Sequence, residues 1–170
     1  MNNKENNIKK VCAFYVNDWH FTTMILPYIA NEIKSKNKII TILQNNMKSN
    51  IEEILSKMNL NQKLKEEILE INWTKNFPIK YSNIKQEIQQ IDGQVKDINI
   101  FINGDKEFIK MVNQNIEKLI EKFNLRTSIT IVNFYDITKF TNVSEITDEH
   151  QYILNTSGIK KIKEVFQKEA

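Results

Sequence analysis

Four short runs of apolar, mostly β-branched or aromatic residues punctuate this chain: KVCAFYV at 10–16, KIITIL at 38–43, DINIFI at 97–102 and TSITIVNFY at 127–135. Between them, apolar residues recur every third or fourth position. A strand that faces water on one side alternates apolar with polar, whereas one covered on both sides is almost continuously apolar. Strands of the second kind, separated by helices, dictate a parallel sheet, because parallel neighbours need a long crossover that lies on a face of the sheet. The expected fold class is α/β, a three-layer sandwich around a mostly parallel central sheet.

The elements follow from the same periodicity. Lys10–Val16 is the first expected strand, and Asp18–Lys36 a helix with the inner stripe Phe21, Met24, Ile25, Tyr28, Ile29 and Ile33. Pro27 inside it predicts a kink. A strand over Lys38–Leu43 leads to helices over Asn45–Asn59 and Asn61–Leu69, then to a brief strand at Glu70–Trp73. Residues 74–82, with Pro78, read as a surface loop before a helix over Ser82–Ile91 that Gly93 closes. The strand Asp97–Ile102 ends at Asn103, Gly104 and Asp105, and Asp105 caps a helix to Phe123. Thr127–Tyr135 and Gln151–Leu154 supply the remaining strands. Residues 1–9 are polar and unpatterned and read as a flexible N-terminal arm, residues 10–156 as one domain, and residues 157–170 as a C-terminal amphipathic helix with Ile159, Ile162, Val165 and Phe166 on its packing stripe.

A chain of 170 residues suits one domain that needs no staple to bury a core. No apolar run approaches the length of a membrane span, so no membrane partner is expected. The start MNNKENNIKK lacks the apolar region of a secretory signal, and the single cysteine, Cys12, lies within an apolar run as a buried, inert thiol. A cytoplasmic location follows as the expectation. The net charge is +3, but lysines are interleaved with glutamates, and Arg126 is the one arginine among 24 basic residues. That pattern argues against a nucleic-acid partner, which prefers a gathered basic patch and the bidentate fork of arginine.

Ligands of open α/β sheets gather beyond the carboxyl ends of the strands. A phosphate-binding loop would place G-x-x-x-x-G-K-[ST] after the first strand. Here the interval reads Val16, Asn17, Asp18, Trp19, His20, Phe21, Thr22, Thr23. Both glycines and the lysine are missing, and Asp18 puts a carboxylate at the positive end of the helix dipole, where a phosphate would rest. Asn17 or Asp18 serves instead as the helix cap.

The remaining candidates sit at the other strand ends. Tyr15 and Tyr135 come together if their strands are neighbours, and each offers a phenol to a ligand or packs in the core. Asp18, Asp105 and Asp136 each follow a strand and act either as caps or as a magnesium site. His20 and His150 lack the spacing of a zinc site. Trp19 and Trp73 either line an aromatic pocket or seal the sheet. The ligand-binding set is therefore Tyr15, Asp18, Trp19, His20, Asn103, Asp105, Tyr135 and Asp136, with no catalytic residue, metal or cofactor expected.

Lys10 to Tyr15, K-V-C-A-F-Y, with the helix to Ile33 and the strand Lys38–Leu43, resembles the start of MEDS sensory domains. Asn133, Phe134, Tyr135, Asp136 and Phe140 are similar to that family's Tyr-Asp element, and Glu149, His150, Gln151, Tyr152 and Ile153 to its closing His-Pro strand. Lys10 stands where the family has histidine, Gln151 where it has proline, and Lys36, Asn37, Lys38 where it has Gly-Glu. The resemblance implies a RecA-like sheet without the Walker A loop and a non-catalytic role in bacterial signal transduction, sensing a small organic ligand. With no room for a fused output domain, such a module is expected to act through a separate protein, such as a kinase or regulator, or as a homodimer. Two other expectations are a nucleotide-binding protein or degenerate RecA-like ATPase that uses Thr22, Thr23 and the carboxylates with a metal, and a protein-interaction scaffold that docks through its terminal helix.

Overall fold

The structure, a computed structural model, describes residues 8–76, 78–140 and 142–166. Six strands form one sheet: β1 (Ile8–Tyr15), β2 (Lys38–Leu43), β3 (Asp97–Asn103), β4 (Ser128–Asp136), β5 (Tyr152–Asn155) and β6 (Gly158–Lys161). Their spatial order is β2-β3-β4-β1-β5-β6, and every pairing is parallel except that of β5 with β6. The helices are α1 (Asp18–Lys34), α2 (Lys48–Ser56), α3 (Gln62–Glu70), α4 (Tyr81–Ile91), α5 (Lys106–Glu121), α6 (Ser144–Thr147) and α7 (Ile162–Phe166). The expected α/β sandwich is present, with helices on both faces of a mostly parallel sheet.

Strand alternation splits the core into two layers. Val11 and Ala13 of β1 and Val132 and Phe134 of β4 join Phe21, Ile25 and Ile29 of α1 with Ile51 and Leu55 of α2. Cys12 of β1, Ile98, Ile100 and Ile102 of β3, and Ile129 and Ile131 of β4 join Ile88 of α4 with Val112 and Ile116 of α5. Burial without an ion partner pushes the Cys12 thiol up to about 12, so it stays an unreactive thiol. Pro27 lies on the exposed side of α1, and the helix continues through it.

The expected strand at Glu70–Trp73 does not form. Glu70 ends α3, and the residues that follow run beside β2 outside any strand: the Asn72 carbonyl accepts from the Thr41 hydroxyl, and the Asn76 N–H donates to the Leu43 carbonyl at 3.0 Å. Trp73 turns its ring into the α1–α3 layer, where it is fully buried, and its indole N–H donates to the Ile68 carbonyl at 2.9 Å. Its own carbonyl accepts from the Met47 N–H at 2.8 Å. Local apolar character was enough to suggest a strand, but these side chains complete a helical layer instead.

The chain's end also differs from expectation. Gly158–Lys161 is not helical but returns as β6, in register Tyr152↔Lys161 to Asn155↔Gly158. Gly158 has φ 101°, a conformation open to glycine, and the Asn155 side chain accepts from the Ser157 N–H at 2.8 Å to hold the turn. Of the described part of the expected C-terminal helix, residues 157–166, only Ile162–Phe166 is helical. Ile159 and Ile162 pack on the body, whereas Val165 and Phe166 are exposed. Residues 1–7 of the expected arm and 167–170 of the expected helix lie outside the described residues, and Ile8 and Lys9 already belong to β1.

A buried polar chain ties α5, β4 and α6 together. Asn113 Nδ2 donates to Asn133 Oδ1 at 2.7 Å, and Asn133 Nδ2 meets His150 Nε2 at 3.0 Å. His150 Nδ1 lies 2.7 Å from the Ile146 carbonyl, which only accepts. Nδ1 therefore carries the proton and Nε2 the lone pair that receives the Asn133 amide. Burial lowers the His150 pKa, and a proton on Nε2 would oppose the amide donor.

Trp73→Ala is expected to lower stability by about 3–5 kcal/mol, read from the urea midpoint, and Trp73→Phe by less. For His150 the pKa falls on folding, so the unfolded chain takes the proton first. Stability is therefore unaffected by this group above its unfolded value, near 6.5, and declines as pH falls below it. Asp97, which burial raises to about 6, acts in the opposite sense. Urea midpoints at neutral and mildly acidic pH should thus show a larger acid loss for the wild type than for His150→Gln.

Candidate functional site at the strand ends

The carboxyl ends of β1 to β4 open into a cavity of about 480 Å3. Tyr15 enters from β1, Gln44 and Asn45 from the end of β2, Asn103, Gly104 and Asp105 from β3, and Asp136 and Lys139 from β4. The location follows from topology. The chain leaves β1 through α1 toward the β2 edge, and leaves β4 in the opposite direction toward β5, so β1 and β4 flank the point where connections diverge.

Register decides which candidates meet there. Tyr15 pairs with Asp136 and Phe14 with Tyr135, so side chains of the first pair share one face and those of the second share the other. Tyr15 packs against Phe21 of α1, with ring centroids 5.3 Å apart. Tyr135 is buried on the α5 face among Phe14, Phe140 and His150. The two tyrosines belong to adjacent strands but do not converge, because they differ by one position in the alternation.

Asn103 Nδ2 donates to the Tyr15 hydroxyl at 2.8 Å and to the Phe134 carbonyl at 3.3 Å. Burial raises the Tyr15 pKa, the Asn103 contact opposes this, and Asp136 and Asp18 add to it. Tyr15 therefore remains a phenol. Asp105 caps α5: its Oδ1 accepts from the Phe108 N–H at 2.8 Å, and its Oδ2 accepts from Gln44 Nε2 at 3.0 Å. Gln44 Oε1 in turn accepts from the Asp105 N–H at 2.7 Å. The Phe108 amide, then Gln44, hold the Asp105 carboxyl below the usual range, with Lys139 contributing. Asp136 caps the short 3₁₀ turn Ile137–Lys139, its Oδ1 accepting from the Thr138 N–H at 3.0 Å and the Thr138 hydroxyl at 2.6 Å.

The turn after β1 bonds two of its own amides with its own side chains. Asn17, in extended backbone, accepts from the His20 N–H at 2.8 Å, and His20 Nδ1 accepts from the Val16 N–H at 3.1 Å. This reciprocal cap occupies amides that a phosphate would need. The Asp18 carboxylate accepts a hydrogen bond from Asn50, which ties α1 to α2. Thr22 and Thr23 donate to the carbonyls of Asp18 and His20 at 2.8 and 3.2 Å, so both hydroxyls are spent within α1. Trp19 is 50% exposed and does not seal the sheet. Of the eight candidates, Tyr15, Asn103, Asp105 and Asp136 line the cavity, while Asp18, Trp19, His20 and Tyr135 do not.

Six lining residues lie outside the expected ligand set: Gln44, Asn45, Lys75, Gly104, Phe108 and Lys139. The lysines carried no signal among so many, but Gln44 follows directly on an expected strand and could have been found on that ground. Asp18 does not join Asp105 and Asp136 at the cavity, and among the described residues no group of three or more His, Cys, Asp or Glu is placed to hold a metal ion. A second cleft of about 660 Å3 runs along the free edge of β2 between α3 and α4, away from the strand ends. Its polar groups serve the fold: Lys38 pairs with Glu87 at 3.3 Å, Thr41 donates to the Asn72 carbonyl, and Asn37 donates to Glu32 at 2.6 Å. Among the described residues, no helix is long and apolar enough to cross a membrane. No family model matches the chain, and a search of curated proteins finds no match.

Gly104 forms the cavity floor by close approach. A Cβ there would lie 2.5 Å from a Phe108 ring carbon and 2.7 Å from Gln44 Oε1. Gly104→Ala is expected to push Gln44 off Asp105 and to lower the urea midpoint by an amount equivalent to about 1–3 kcal/mol.

Proposed function

We propose that this chain is a non-catalytic module that binds a small organic molecule at the carboxyl ends of β1 to β4 and signals through a partner protein or a second copy of itself. One observation carries the reading: a polar cavity of about 480 Å3 lies at the topological switch point, while the chain's own Asn17 and Asp105 already cap the amino termini of α1 and α5 beside it. A triphosphate entering there would meet the Asp105 and Asp136 carboxylates. The resemblance of residues 10–154 to MEDS sensory domains points the same way, toward a RecA-like sheet that has given up its phosphate loop and senses small molecules.

Thermal denaturation across a library of small metabolites, with magnesium ATP as the rival ligand, tests this. At about 100 times its Kd, a ligand specific for the folded state adds about 2.7 kcal/mol of stability, a readily measured shift in Tm. The expected result is stabilisation by a small organic compound and none by ATP. Micromolar binding of ATP would overturn the proposal in favour of a nucleotide-binding protein.

A further inference from the structure

Hydrogen-bonding capacity at the strand-end cavity is spent unevenly. Asp105 uses both carboxylate oxygens on the fold, one on Phe108 and one on Gln44. Asp136 spends only Oδ1, on Thr138, and Oδ2 accepts no hydrogen bond among the described residues. The Tyr15 oxygen accepts from Asn103, but its phenolic proton has no acceptor among them. Lys139 makes no ion pair among them, though it lies near enough to Asp105 to help lower its pKa. Beside the Asn45 carboxamide, which also lines it, the cavity thus offers a ligand an anionic acceptor at Asp136, a cationic donor at Lys139 and a neutral donor at Tyr15.

Its charge is balanced. Asp105 and Asp136 face Lys75 and Lys139 across the same space. A ligand of one sign would satisfy one pair and bring like charge to the other. An uncharged ligand would take the Asp136 and Lys139 side chains out of water without replacing their ionic hydration. A molecule that carries both signs meets each with its opposite.

Resting on the strand-end reading above, we propose that the cavity takes a zwitterion of the amino-acid class, its ammonium against Asp136 Oδ2 and its carboxylate receiving hydrogen bonds from Lys139 Nζ and the Tyr15 phenol. Phe108, on the cavity wall, gives an apolar surface for the remainder of the molecule. Charge-assisted hydrogen bonds at both ends make the recognition specific for the pair of groups and not for either alone.

The test is calorimetric titration of the whole chain with a panel of α- and ω-amino acids, each beside its matched amine and matched carboxylic acid. At least one amino acid is expected to bind, with its matched amine and acid at least tenfold weaker. Three variants locate the site. Asp136→Asn keeps the Thr138 cap while removing the charge, Lys139→Gln changes an exposed side chain, and Tyr15→Phe keeps the ring against Phe21. The two charge changes should each weaken binding at least tenfold and Tyr15→Phe severalfold, with unfolding midpoints recorded to show that the fold persists. Failure of every amino acid to bind at about 10 mM, an affinity too weak to serve recognition, overturns the ligand class, as does equal binding of a matched amine or acid. If an uncharged or singly charged compound binds and the same variants weaken it, the class is wrong while the strand-end site stands. Amino-acid binding that none of the three variants alters overturns both.

Discussion

The pairing of β1 with β4 fixes nearly everything of interest in this molecule. Its register, Ile8↔Ile129 through Tyr15↔Asp136, sends alternate side chains to opposite helical layers and brings the two strand ends level. A slip of one residue would turn Val132 and Phe134 away from α1 and remove Asp136 from beside Tyr15. Both strands are apolar on both faces, so hydrophobicity alone does not forbid the slip; it would instead carry the buried Asn133 amide into the α1 layer, away from Asn113 and His150. Core packing and cavity composition are therefore set by the same ladder.

Electrostatics at the strand ends follow from a second constraint. Each helix that begins there exposes backbone N–H groups that must be satisfied. In α1 Asn17 accepts from the His20 N–H, while His20 accepts from the Val16 N–H just before the helix, and in α5 Asp105 accepts from the Phe108 N–H. One first-turn amide in each helix is thereby taken up by the chain's own side chain, and the cavity between them is lined mainly by side chains of the loops.

Much of this was legible in the sequence, and the limits have physical causes. β1 to β4, α1 and α5 announce themselves by periodicity, and the caps Asn17, Asp105 and Asp136 by residue type at strand ends. The strand expected at Glu70–Trp73 failed because an apolar run does not say which layer buries it, and Trp73 is held by the helix preceding it. The hairpin at Gly158 was hidden because Ile159, Ile162, Val165 and Phe166 fit a helical stripe, although Asn155 to Gly158 carries turn chemistry that outweighs it. At the site, Tyr15 and Tyr135 looked equivalent. Only the pairing register shows that they face opposite layers.

The order of the strands in space differs from their order along the chain. β1 sits between β4 and β5, so neither neighbour of the central strand exists until the chain has been made through α5. Val11 and Ala13, which end up without solvent contact, must meanwhile be sheltered by the amphipathic α1 that follows them. Closing the sheet over so long a loop carries a large entropic barrier before contacts repay it, so this topology makes for slow, late folding and a nascent chain whose central strand stays vulnerable to association with its neighbours in the cell.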